Sequence, residues 1–109
     1  MSELHVALEE YLSVRRALGV KLRLPGRLLE RFVDFAEREG AEVITTDLAL
    51  RWATRPADAQ PAQWANRLGM VRRFAQYRSA ADPRTELIGA VVTADILDKA
   101  RSRFQVFAA

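Results

Sequence analysis

The 109-residue chain contains no cysteine and only one histidine. The absence of cysteine excludes a disulfide framework and every metal site built from thiolates. His5 alone is too little for a zinc site and for most metal or acid–base constellations. No apolar run approaches the ~20 residues of a membrane span, and residues 1–15, with Glu3, Glu9 and Glu10, do not resemble a signal peptide. We therefore expect a soluble, cytoplasmic protein without a metal, another cofactor or a membrane partner.

Catalytic patterns are missing as well. The sequence has no glycine-rich phosphate loop and no Ser-His-Asp set. Its carboxylate pairs, Glu9–Glu10 and Glu37–Glu39, fall on the solvent faces of predicted helices, which favours solvation over acid–base catalysis. Tyr11 and Tyr77 lie toward apolar stripes and are expected in the core rather than to act as nucleophiles. Trp52 and Trp64 are likewise expected to be packing residues rather than platforms on which bases stack. The sequence indicates neither an active site nor a small-molecule substrate.

Charge, by contrast, is plentiful and unevenly distributed. The formal net charge is only +3. Residues 15–31 nevertheless carry six basic side chains and one acidic one, residues 60–84 carry five and one, and the remainder of the chain is net acidic. If the two basic segments fold side by side, they form a single basic face that suits a polyanion. The alternative is that scattered arginines only keep a helical domain in solution.

Apolar residues recur with the 3.6-residue period of amphipathic helices. Four helices are predicted, at about residues 3–18, 26–39, 46–55 and 61–81. The predicted fold class is therefore all-α, a four-helix orthogonal bundle that occupies residues 1–86. Residues 87–109 form a divergent tail, in which a fifth helix is predicted at about 94–107.

Helix boundaries are marked by capping residues. Ser2 is a candidate N-cap of the first helix, and Thr45 or Thr46 can cap the third. Gly19 is well placed to end the first helix in a left-handed conformation. Residues 20–25 alternate apolar and basic side chains, and we expect an extended connector there because no partner strand is evident.

The segment from Gln63 to Arg78 has two contrasting faces when it is wound as a helix. Apolar residues form one stripe: Trp64, Leu68, Val71 and Ala75. The far side carries two amides, a glycine and two guanidiniums: Asn66, Gln76, Gly69, Arg73 and, beside them, Arg72. Arginine forks onto guanine edges or phosphates, while Asn and Gln pair with adenine or reach sugar–phosphate oxygens. The basic connector and the second helix can reach phosphates as well, through Lys21, Arg23, Arg27 and Arg31.

Four segments, in this order, are similar to a known domain. They are LEEYLSVRRALG with the basic connector, LLERFVDFAEREG, ITTDLALRWA and WANRLGMVRRFAQYRSAADPRTE. From about Leu8 to Glu86 they resemble the four-helix, SAM-like N-terminal core-binding domain of the tyrosine recombinases, the phage-integrase family. The last segment is the most specific, with Trp-x-x-Arg-Leu-x-x-Val-Arg-x-Phe-Ala followed by an Asp-Pro-Arg-Thr-Glu exit.

This resemblance implies binding of double-stranded DNA, in DNA integration and recombination, by one half of a clamp. In the family, the second and fourth helices of the domain face the major groove. The residues expected to bind DNA here are Lys21, Arg23, Arg27, Arg31, Asn66, Arg72, Arg73 and Gln76. Helical periodicity favours Arg73, Gln76 and Asn66 over Arg67, which lies nearer the apolar flank. Arg67 and Arg72 are therefore either DNA contacts or structural members of the motif.

Catalysis in the family depends on a separate C-terminal domain. That domain supplies a catalytic arginine, a lysine, a His-x-x-Arg box, a second His or Trp and a nucleophilic tyrosine. His5 begins no His-x-x-Arg, and residues 87–109 match nothing in that domain. The resemblance thus implies that this chain alone does not cut or join DNA. The alternative interpretation is a protein-interaction or dimerisation module that uses the apolar tail, and homo-oligomers are expected either through the tail or on DNA.

Overall fold

Four α-helices account for the regular structure in the part of the chain that the structure describes. The computed structural model describes residues 2–19, 23–55 and 60–89, with the backbone alone at residues 23–25 and 61. The helices are α1 (Glu3–Ala17), α2 (Arg23–Arg38), α3 (Thr46–Ala53) and α4 (Pro61–Ser79). The described residues contain no β-strand, which confirms the all-α class, and none of their helices is long and apolar enough to cross a membrane. The predicted fifth helix lies outside the described residues.

The caps predicted for the first and third helices are confirmed. The Ser2 hydroxyl accepts the backbone N–H of His5 at 3.1 Å, and the Thr45 hydroxyl accepts the backbone N–H of Leu48 at 3.1 Å. Each bond satisfies one of the amides that a helix start leaves without an intrahelical acceptor. Gly19 follows α1 with a φ of +83°, the left-handed conformation that glycine adopts without steric cost.

The second helix begins earlier than the sequence predicts. It starts at Arg23 rather than near Gly26, so residues 23–25 are helical and the prediction of an extended connector there was wrong. Proline is tolerated at position 25 because the N–H groups of a first helical turn have no intrahelical acceptor, so the N–H that proline lacks would make no helical hydrogen bond there. The rest of the expected connector, residues 20–22, lies outside the described residues.

Helices α2 and α4 form the centre of the bundle, since each packs against the other three helices. Their inner faces supply side chains with no exposed surface: Phe32, Val33, Ala36, Leu68, Val71, Phe74 and Ala75. From α3, the Trp52 ring meets Phe32 edge-on with the ring centres 5.4 Å apart. From α1, the Tyr11 ring lies 5.5 Å from that of Phe74. Full burial of a large apolar side chain contributes about 1.5–3 kcal/mol, so this central pair holds the domain together.

Three of the four aromatic residues assigned to the core are buried, and the fourth is not. Trp52, Trp64 and Tyr11 are 2–6% exposed, whereas Tyr77 is 36% exposed. The Tyr77 ring contacts that of Tyr11 at a centre-to-centre distance of 5.2 Å. On α4, Phe74 faces the core, and Tyr77 is turned from that side toward the outward side of the helix. The Tyr77 side chain therefore lies at the border of the core and not within it.

The turn after α4 is held by the carboxylate of Asp82, which is only 6% exposed. This carboxylate accepts Nε and Nη2 of Arg84 at 3.0 and 2.9 Å, together with the backbone N–H of Arg84 at 3.0 Å. Nη2 of Arg78, on α4, lies 3.7 Å from the same carboxylate. The pKa of Asp82 is lowered by these contacts, chiefly by the side-chain hydrogen bond from Arg84. Asp82 thus fixes the chain direction where the fourth helix ends.

Glu86 connects this turn to α3. Its backbone N–H donates to the carbonyl of Ile44 at 3.0 Å, and its side chain accepts the N–H of Thr46 at 2.9 Å. Thr46 is the first residue of α3, so the carboxylate satisfies a free amide at the positive end of the helix dipole. Two residues further on, Ile88 is 3% exposed and belongs to the core. The Asp-Pro-Arg-Thr-Glu exit therefore ties the end of α4 to the beginning of α3.

A polar contact joins α1 to α2 at the surface. The Ser2 hydroxyl donates to Oε1 of Glu37 at 2.6 Å, and Nδ1 of His5 lies 3.5 Å from the same oxygen. The hydrogen bond from Ser2 is the main reason that the pKa of Glu37 is lowered. Ligand atoms of His5, Asp34 and Glu37 lie within 4.8 Å of one another, a grouping that the sequence did not predict. The bonds between Ser2, His5 and Glu37 explain it as a link between the two helices.

Replacing Asp82 by asparagine is expected to lower the midpoint of thermal unfolding at neutral pH by several degrees, because Arg84 and Arg78 lose their shared anion. The lowered pKa adds a pH dependence. Asp82 stabilises the fold above its ordinary pKa of 3.8, and this stabilisation is lost as the pH falls through the pKa of the folded state. The difference between the two proteins should therefore narrow in acid, which circular dichroism melts from neutral to acidic pH would measure.

The matched control is Asp47→Asn. The Asp47 side chain is 78% exposed in its ion pair with Arg51, and exposed pairs contribute little to stability. Equal losses in the two variants, or a difference that widens in acid, would contradict the role given to Asp82.

Candidate nucleic-acid interface

The structure exposes the face of α4 that the sequence singles out. We call this surface, Asn66, Gly69, Arg72, Arg73 and Gln76, the outer face of α4. Its two amides and Arg73 are exposed, and its other two residues are half-buried. The opposite stripe is 0–3% exposed: Trp64, Leu68, Val71 and Ala75. Since that stripe anchors the helix in the core, the outer face presents hydrogen-bonding groups on a rigid support.

Gly69 leaves a gap in the middle of the outer face. A Cβ atom at this position would meet no atom within 4 Å, so the packing of the described residues does not require a glycine. In a helix interior, glycine costs about 1 kcal/mol relative to alanine. What the gap does provide is room for a partner to approach the α4 backbone closely.

A second row of charged side chains runs along the exposed side of α2. Arg27, Arg31, Asp34 and Arg38 follow one another at helical spacing and are all exposed. Because α2 packs against α4, basic residues of the two basic segments lie on neighbouring helices. Of the other residues expected to bind DNA, Lys21 lies outside the described residues and only the backbone of Arg23 is described.

Arg67 lies off the outer face, at the junction of α4 with α3. Its guanidinium carbon is 3.9 Å from the centre of the Trp52 ring, and its Nη2 donates to the Trp52 carbonyl at 3.3 Å. Arg67 therefore adds a second donor to a carbonyl in the last turn of α3, which also accepts the backbone N–H of Arg55 at 3.2 Å, and links two helices. Its Nε is buried and has no hydrogen-bond partner among the described residues. These contacts support the structural alternative for Arg67.

Arg67 also lines a cleft between α2, the end of α3 and the start of α4. This arginine cleft has a volume of about 310 Å³ and is lined by Arg31, Asp34, Phe35, Arg38, Trp52, Arg55 and Arg67. The guanidinium carbon of Arg55 lies 4.8 Å from the centre of the Phe35 ring. The pKa of Arg67 is lowered, first by burial and then by repulsion from Arg31 and Arg55. Among the described residues that line it, the cleft thus concentrates four arginines against one acid, Asp34.

Sequence reasoning did not identify Arg38 and Arg55 as members of a basic site. Arg38 falls on the solvent side of a predicted helix, and Arg55 falls where the third helix gives way to a loop. A partial signal exists in the helical spacing of Arg31 and Arg38, which places them on one stripe with Asp34. Arg55 comes close to that stripe because α3 packs against α2. The periodicity of apolar residues within a single helix does not predict how two helices pack.

Comparison with known proteins gives a relative with a recombinase name. The chain is 54% identical over 87 residues to a Sinorhizobium fredii protein named "Putative integrase/recombinase y4rB". The match covers 80% of this chain and 28% of that protein, so the chain spans little more than a quarter of the length of its relative. No family model and no solved structure matches the chain. The likeness supports the relationship to integrases and recombinases that the sequence pattern indicates.

The Arg67→Ala variant is expected to lose about 1 kcal/mol of unfolding free energy, because the ring contact and the hydrogen bond to the Trp52 carbonyl disappear together. Arg73→Ala is the matched control on the same helix, and as an exposed substitution it should change stability by no more than about 0.5 kcal/mol. Urea denaturation of the parent and the two variants measures both changes in the free energy of unfolding. Equal effects of the two substitutions would show that the Trp52 contact contributes nothing.

Proposed function

We propose that the chain belongs to the tyrosine-recombinase, or phage-integrase, family and acts as its N-terminal core-binding domain. In this role it binds double-stranded DNA during integration and recombination and does not catalyse strand exchange by itself. The relative named as an integrase/recombinase supports the family. The four helices, with α2 and α4 packed side by side, agree with the architecture that the sequence resemblance implies.

The outer face of α4 is the observation that carries the DNA-binding proposal. It places an exposed guanidinium, two exposed amides and a glycine gap along one side of a helix whose other side is anchored in the core. An α-helix fits the major groove of B-DNA, where arginine, asparagine and glutamine make the commonest pairings with base edges. From Asn66 to Gln76 the helix rises roughly 15 Å, the length of about four base-pair steps.

The exposed arginines of α2 complete the proposed interface. Arg27 and Arg31 stand one helical turn apart on the neighbouring helix, so they suit phosphates along one strand rather than base edges. Such contacts set the register of the domain on the duplex and carry no sequence information. We assign them to affinity, and the outer face of α4 to the reading of bases.

Binding to duplex DNA should weaken steeply with salt. About four phosphate contacts give a slope near −3.6 when the logarithm of the association constant is plotted against that of the salt concentration. Fluorescence anisotropy with a labelled duplex over a series of salt concentrations measures this slope. The absence of binding even at low ionic strength would reject the proposed function.

The outer face is tested by the double variant Arg73→Ala, Gln76→Ala. It should fold normally and bind DNA at least about fivefold more weakly, since one bidentate base contact is worth ~1–3 kcal/mol. The matched control is Arg51→Ala, which also removes one arginine, but one whose charge is already paired with Asp47 at 3.0 Å and Glu39 at 3.3 Å. A double variant that folds and binds DNA as tightly as the parent would exclude the outer face as the contact surface.

A further inference from the structure

The arginine cleft holds more positive charge than the described residues neutralise. Its described lining contains four arginines and one acidic residue, Asp34. Among the described residues, none of these four guanidiniums lies within 4.0 Å of a carboxylate oxygen. Nearby on α3, by contrast, Arg51 is paired with two acids. Like charges crowded into one cleft repel each other, and an anion that accepts hydrogen bonds from several of them removes that repulsion.

Aromatic rings hold two of the guanidiniums in place. Arg67 lies 3.9 Å above Trp52, and Arg55 lies 4.8 Å from the centre of Phe35. A planar guanidinium that packs its face on a ring keeps its N–H edges available for donation. The Nε of Arg67 is itself buried, so Arg67 contributes its positive charge and the N–H edges available to a ligand are those of the more exposed arginines. The cleft is therefore organised for an acceptor before any acceptor binds.

We propose that the arginine cleft binds one phosphate group, with Arg31 and Arg55 as its ligands and Arg67 as a fixed positive charge beside them. A phosphate suits the site because its several oxygens accept bonds from more than one guanidinium at once. Building on the proposed function, we assign this phosphate to the backbone of the bound DNA, at a site separate from the outer face of α4.

The position of the cleft supports this assignment. Arg67 and Asn66 are consecutive residues of α4, so their side chains diverge by about 100° around the helix. The cleft is therefore turned about 100° around α4 from Asn66, and Arg31 and Arg38 connect it to the exposed row of α2. Arg73 lies six residues beyond Arg67, roughly 9 Å along the axis. A duplex that lies against the outer face can place a backbone phosphate at the cleft while its base edges face Arg73.

The first test needs no DNA. Titration with inorganic phosphate, followed through the Nε–H signals of the arginines by nuclear magnetic resonance, should give saturable shifts at Arg31, Arg55 and Arg67. The folded Arg55→Gln variant should lose the saturable response, and Arg31→Gln provides the same comparison if the first variant does not fold. Asp34→Asn should bind phosphate more tightly, because it removes the acid that lines the cleft among the described residues. Shifts that do not saturate, or that persist unchanged in both glutamine variants, would overturn the site.

The second test asks whether DNA uses the cleft. The double variant Arg31→Gln, Arg55→Gln should bind duplex DNA about tenfold more weakly and show a salt slope smaller by about 1, the share of one phosphate. Arg51→Gln is the matched control and should retain the parent affinity and slope. Phosphate binding with unchanged DNA affinity in the double variant would overturn the assignment to the DNA backbone. Phosphate binding by a chain that binds no DNA at all would overturn the proposed function and leave the cleft as an anion site.

Discussion

The packing of α2 against α4 is the constraint on which the rest of this structure depends. Each of these helices contacts all the others, and their inner faces supply most of the side chains without exposed surface. The same contact brings basic residues from the two basic segments of the sequence, Arg27 and Arg31 on one side and Arg73 on the other, onto neighbouring helices. Stability and candidate function therefore have one origin, since the apolar stripes that meet in the core determine which polar groups are left outside.

Arginine serves two different purposes in this domain. Arg84 and Arg78 are paired with the buried carboxylate of Asp82, and these contacts fix the turn after α4. Arg31 and Arg55 have no such partner among the described residues and lie beside Arg67, whose pKa is lowered by burial and by their charge. A basic composition alone does not separate these purposes. The contacts do, because a paired guanidinium contributes little further attraction to a polyanion.

Much of the fold follows from local patterns in the sequence. The Ser2 and Thr45 caps, the glycine that ends α1 and the buried stripe of α4 each involve residues within a few positions of one another. The sequence predictions that were wrong also have physical explanations. Pro25 does not prevent residues 23–25 from being helical, because proline is tolerated in the first turn of a helix. Tyr77 lies at the border of the core because a change of one position along a helix is enough to turn a side chain from the core toward solvent. The links from Asp82 and Glu86, and the approach of Arg55 to Phe35, join distant segments that periodicity cannot pair.

In the complex that we propose, duplex DNA lies against the outer face of α4 and the neighbouring side of α2. The most direct measurement is a titration of the isotope-labelled chain with a short DNA duplex at low salt, followed by backbone and arginine side-chain resonances. We expect shifts concentrated at Arg27, Arg31, Asn66, Arg73 and Gln76, with the surface of α1 around Glu9 and Glu10 unaffected. Shifts concentrated on α1 and absent from the outer face of α4 would contradict it.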